Sequence, residues 1–169
     1  GEEHFSDSYL DDYRKVRQST SSCQVYMGVR AGETLPFVTD LMFKSTRPTF
    51  SSEALCDMHG ESHTFSFYDP RTRPDSNRYT VVSSMNAHFE DWAKLSESEY
   101  EAAKARMIET SLRSLEEHIP GVREKIDHVE AATPRTFEFY TQHARGTSFG
   151  TKFEGLSLIH ISEPTRPSV

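Results

Sequence analysis

The sequence of 169 residues contains no apolar stretch approaching the ~20 residues that a membrane-crossing helix requires. Its opening, Gly1-Glu2-Glu3-His4, has neither the basic nor the apolar region of a leader peptide and no initiator Met, so it reads as a chain already under way. Cysteine is scarce. Cys23 and Cys56 are the only two, in no C-x-x-C arrangement, which excludes a disulfide scaffold and leaves two buried or half-buried thiols. Basic runs are absent, and 19 Lys and Arg against 26 Asp and Glu give a formal charge of -7, which argues against a general nucleic-acid binder. There is no G-x-x-x-x-G-K-S/T, no G-x-G-x-x-G and no G-x-S-x-G. A phosphate-binding loop, a dinucleotide-binding fold and a nucleophile-elbow hydrolase are therefore not supported within this chain.

What is present suits a folded domain. With 35% hydrophobic and 27% charged residues, 11 Phe, 7 Tyr and one Trp, the chain is too aromatic to be disordered and is long enough for one core. Tyr9 to Val16 reads as a short helix. Cys23, Val25, Met27 and Val29 then alternate with Gln24, Tyr26 and Gly28 in the period of a half-buried strand. Phe37 to Phe43 is a second candidate strand, and Ser45 to Ser52 reads as loop. His63 to Tyr68 and Arg78 to Ala87 flank a Pro- and Asp-rich connection from Asp69 to Asn77, the pattern of an antiparallel hairpin. The strongest local pattern runs from Glu97 to about His118, where Tyr100, Lys104, Met107, Ile108, Ser111, Leu112, Leu115 and Ile119 recur at helical spacing. Ser96 and Glu99 form a capping-box pair, Leu95 and Tyr100 have staple spacing, and Pro120-Gly121 stops the helix. Ile126 to Ala132 reads as a strand that Pro134 ends. Meandering strands beside one long helix predict an α+β fold with a mixed, largely antiparallel sheet and covering helices.

Three local clusters bear on chemistry. Cys56, His59 and His63, with Asp57 or Glu61 as a fourth group, have spacing that could supply zinc ligands. Gly60 interrupts any helix that would present the two histidines together, so a loop with solvent-facing histidines is the better reading, and no metal site is assigned. Glu116, Glu117 and His118 read as a solvated helix end. The segment 132–150 is more informative: Thr136 can cap a short turn holding Phe137 to Tyr140, and two glycines let the backbone turn or approach a ligand closely. On composition alone a structural turn is favoured over a binding loop there.

Thr133-Pro134, the following aromatic turn, Tyr140-Thr141, and Gly146 with Phe149-Gly150 resemble the Thr-Pro, Tyr-Thr and Gly-aromatic-Gly segment of the phytoene desaturase and carotenoid isomerase family, which includes retinol saturase-like proteins. The helix ending in Ile119-Pro120-Gly121 and the strands Cys23 to Val29 and Tyr79 to Ser84 are also similar, so the resemblance spans roughly residues 9 to 156 and is strongest from 119 to 155. It implies a substrate-side domain, residues 1–155, belonging to an FAD-dependent oxidoreductase that desaturates, saturates or isomerises a long apolar polyene. The flavin fingerprint of that family is missing here, so this piece alone is expected to be inactive. By resemblance, Thr133, Pro134, Tyr140, Thr141, Gly146, Phe149 and Gly150 lie near the junction of substrate and flavin domains, and none is assigned as catalytic.

The resemblance also implies peripheral membrane contact of the parent, because its substrate is lipid-soluble, while the acidic balance argues for no nucleic-acid partner. It leaves the compartment open: cytoplasm or membrane surface for a bacterial parent, plastid for a plant or algal one. Residues 156–169, an apolar stretch followed by Pro-rich polar residues, read as a translated adapter or vector tail. The alternative to an enzyme fragment is a free-standing α+β binding module whose loop from Thr133 to Gly150 merely turns. Amine-oxidase-like flavoproteins share the general architecture but do not account for the Thr-Pro to Phe-Gly segment.

Overall fold

The computed structural model describes residues 4–49, 51–59, 62–72 and 76–152. The tail at 156–169, Glu61 of the candidate zinc cluster, and part of the hairpin connection therefore lie outside the described residues. In chain order the elements are α1 (Asp7–Lys15), β1 (Ser21–Val29), β2 (Leu41–Ser45), α2 (Ser52–Cys56), β3 (Ser62–Tyr68), β4 (Thr80–Ala87), α3 (Phe89–Ala93), α4 (Glu97–Glu116), α5 (Val122–Lys125), β5 (Ile126–Ala132) and α6 (Pro134–Thr141), with 3-10 turns at Pro70–Thr72 and Ala144–Gly146. The fold class is α+β.

Among the described residues five strands form one sheet in the order β2-β3-β4-β1-β5, and every pairing is antiparallel. β1 is an interior strand, between β4 and β5, and its alternation is complete: Cys23, Val25, Met27 and Val29 are buried while Gln24, Tyr26 and Gly28 are half-exposed. Register carries that alternation across the sheet. Val25 stands opposite Ser83 and Ala131, and Ser83 stands opposite Phe65, so these residues share one face with Cys23 and Met27.

α4 covers that face. Tyr100, Ala103, Met107, Leu112 and Leu115 join Val25, Met27, Phe65 and Val81 in a single core. Burying a side chain of that size contributes roughly 1.5–3 kcal/mol each relative to exposure. Ser96 begins α4 as its sequence predicts: its N–H donates to Glu99 Oε2 at 2.9 Å while its hydroxyl accepts from the Glu99 N–H at 3.4 Å. At the other end Gly121 adopts φ 78°, and the Glu116 carboxylate accepts from the N–H groups of Gly121 at 2.7 Å and Arg123 at 3.0 Å. Glu116 is thus a cap for the turn into α5, and Glu117 pairs with Lys44.

Two local readings change, and two short helices are added. The second strand is Leu41–Ser45 and not Phe37 to Phe43, because its ladder partners are Ser62 to Ser66 of β3, and Phe37 and Val38 remain exposed. α3 lies between β4 and α4 and buries Trp92, which meets Tyr100 edge-on at 6.0 Å. α5 is one short turn after Gly121. Pro134 does end β5, but it also occupies the first turn of α6, where its missing N–H costs nothing. The expected short turn is therefore an eight-residue helix with Thr133 as the capping position, and Thr136 contributes by accepting the Thr133 N–H at 3.1 Å.

Candidate functional site

With helix α4 on one face, the opposite face of the sheet carries Ser22, Gln24 and Tyr26 from β1, Ser84 and Asn86 from β4, and Thr64 and Ser66 from β3. All are half-exposed or exposed. α6 and the segment after it rise along one side of this floor. Thr147 bridges to Ser21, Gln18 to Thr151, and the Ser19 N–H donates to the Gly150 carbonyl at 2.9 Å, so residues 147–151 run antiparallel to the chain entering β1. The Ser148 and Ser22 hydroxyls meet at 2.9 Å.

Between floor and wall lies a groove of about 490 Å³. Ser22, Gln24 and Ser84 form its base, Phe43 of β2 stands on one side, and Phe137, Thr141 and Phe149 stand on the other. That size falls in the range of small-molecule sites, roughly 300–1,000 Å³. Two of its rings are largely exposed, Phe149 at 79% and Phe43 at 59%, and α6 exposes Phe139 and Tyr140 outside the groove's lining. Isolated exposed rings are ordinary, but a concentration of them beside one groove marks a surface suited to contact with apolar matter.

The residues singled out by sequence separate into three groups. Thr141 and Phe149 line the groove. Thr133, Pro134 and Gly146 lie beneath it, buried, as the joint on which α6 is mounted. The Thr133 and Tyr100 hydroxyls meet at 2.9 Å, and the Arg135 guanidinium lies 4.5 Å over the Tyr100 ring while donating to the Leu95 carbonyl. Gly146, at φ 55°, does make a close approach, but to the chain itself: a Cβ there would sit 2.3 Å from the Pro134 carbonyl oxygen. Tyr140 points to solvent, and Gly150 turns at φ 74° with open space around its Cα.

Residues that sequence reasoning did not single out supply most of the floor. Ser22, Gln24, Ser84 and Thr64 carry only the alternation that puts them on the face opposite Val25, with no motif to mark them. Beneath the sheet, His63 Nδ1 and the Ser111 hydroxyl both meet the Ser83 hydroxyl, at 3.1 and 3.2 Å, within the core. His63 is therefore a buried structural histidine, and among the described residues no three His, Cys, Asp or Glu side chains converge as a metal site.

Chemically the groove offers hydroxyls, amides and rings. Its imidazole, His143, holds Nδ1 at 3.3 Å from the Thr147 carbonyl oxygen. Burial pushes the nearby Tyr26 phenol up, with Tyr68 and Glu130 adding in the same direction, so it stays protonated at neutral pH. Burial likewise raises the Cys23 thiol, leaving it a neutral packing group.

The fold and groove thus define an α+β domain with one covered and one open sheet face. No family model matches the chain. It is similar to the all-trans-retinol 13,14-reductase of Danio rerio, 31% identical over 86 residues, which take in 48% of this chain and 14% of that protein. The matched stretch is therefore a small part of a much longer relative. Among the described residues no helix is long and apolar enough to cross a membrane.

Proposed function

We propose that this chain is the substrate-side domain of an FAD-dependent oxidoreductase acting on a long apolar polyene of retinoid or carotenoid type, and that its part is enclosure. The observation carrying this reading is the similarity to all-trans-retinol 13,14-reductase, joined to an open groove walled by Thr141 and Phe149 of the segment that resembles the desaturase family. The polyene would lie along the floor between Phe43 and Phe149. Removing water there strengthens the electrostatics of whatever reacts beside it. A substrate arriving from lipid would bring the parent into peripheral contact with a membrane.

The residues present do not fit FAD by themselves. A dinucleotide requires a glycine-rich turn between a strand and a helix, with the helix N-terminus on the pyrophosphate. The sequence has no such motif, and among the described residues every strand pairing is antiparallel. In this reading the flavin, which supplies the redox chemistry, is held by other parts of a longer parent.

The test is to recover the full reading frame, express it and record its visible spectrum. A flavin spectrum that shifts or bleaches on addition of all-trans-retinol or a carotenoid is expected. Phe149→Asp in that protein should weaken polyene binding by about tenfold or more, the loss of ~1.4 kcal/mol of contact, with the flavin spectrum unchanged. A frame that begins near Gly1 and a protein that stays colourless with added FAD would refute the reading.

A further inference from the structure

A second, smaller cavity, of about 170 Å³, lies where the end of the sheet meets α3 and α4. Its apolar lining is largely sulfur: Cys23, Met58, Met85 and Met107. Thioethers are polarisable and unbranched, so such walls adapt to small ligands of varied shape. A cavity of roughly 150 Å³ accommodates a molecule the size of benzene.

Two donors distinguish this cavity from a packing defect. Trp92, 3% exposed, lines it, and its indole N–H has no hydrogen-bond partner among the described residues. A buried donor without an acceptor carries its full desolvation cost, and native proteins rarely retain one. Arg106, on α4, also lines the cavity and is solvent-exposed, with no ion-pair partner among the described residues. Asp57, the acid on the same wall, is already engaged by Arg47 and by the His59 N–H at 2.9 Å. Indole and guanidinium donate and do not accept, so a ligand that satisfies both brings acceptor oxygens, and the guanidinium favours one that carries negative charge.

We propose that this cavity binds a small carboxylate with a short apolar body, its oxygens taken by the Trp92 N–H and the Arg106 guanidinium and its hydrocarbon by the methionine wall. The site is independent of the oxidoreductase reading, which uses neither residue.

Trp92 is the one tryptophan of the chain, so its emission reports on the cavity directly. Titration of the 169-residue protein with sodium hexanoate, at constant ionic strength held with sodium chloride, should give a saturable change in that emission. 1-Hexanol, which keeps the hydrocarbon and loses the charge, should bind at least about tenfold more weakly. Arg106→Gln, a change at an exposed position that leaves the core intact, should weaken hexanoate by about tenfold and leave hexanol unaffected. Calorimetry with Trp92→Phe should show hexanoate binding reduced. No saturable response, equal affinity for hexanoate and hexanol, or an Arg106→Gln variant that binds hexanoate like the parent would each overturn the proposal.

Discussion

At Gly146 a left-handed backbone coincides with a contact that leaves no room for a side chain, since the Pro134 carbonyl oxygen occupies the place of a Cβ. Gly150 has a similarly positive φ but open surroundings. The pair separates strain from collision. Gly150→Ala should cost about 1 kcal/mol, the penalty of a side chain in the left-handed region, whereas Gly146→Ala should cost at least ~2 kcal/mol because the backbone must also move. Urea unfolding midpoints of the two variants, at unchanged slope, check this. Both glycines stand out in the sequence as turn-formers, yet what each one meets does not. The neighbour of Gly146 comes from the start of α6, and local pattern carries no information about that approach.

The ends of α4 show what an element owes to its own sequence. Its N-terminus is closed by Ser96 and Glu99, a pairing three residues apart that is visible in the sequence and is formed as read. Its C-terminus is closed by Glu116, which reads as a solvated charge but accepts two backbone N–H groups from the turn that follows. Those bonds hold the Glu116 carboxyl below its ordinary value of 4.5. Because the folded value lies below the unfolded one, the stabilisation is fully present above about pH 4.5 and is lost as pH falls through the folded value. Glu116→Gln should therefore lower stability at neutral pH and flatten its fall on acidification, the two proteins converging at the acid end. Thermal midpoints recorded from pH 7 to pH 3 test this. β1 and α4 are legible because pattern and burial agree along their length. α3 and α5 are not, because a helix of one turn has too few residues for a period, and its stability comes from what Trp92 and Val122 bury.

On the scale of the whole molecule the sheet is asymmetric, with one face sealed by α4 and the other carrying small polar groups bordered by exposed rings. The α+β class followed from meandering strands beside one long helix, whereas the groove depends on α6 folding back over β1, which no spacing in the sequence encodes. Exposed rings of this density make the isolated chain prone to self-association. The double variant Phe43→Ser/Phe149→Ser should sediment as a more monomeric species than the parent at equal concentration, with a thermal midpoint within a few degrees of it, since neither ring is in the core. A midpoint that collapses would mean that these side chains support the fold. The strand order has a further consequence, for the birth of the molecule. β1 is made first among the strands but lies between β4 and β5, so on the ribosome it emerges with both edges bare and must wait for residues 80–87, and then for residues 126–132, before its ladders can close. The described strand that buries the most residues is thus the one longest exposed during synthesis, and early chaperone capture would fall on Cys23 to Val29.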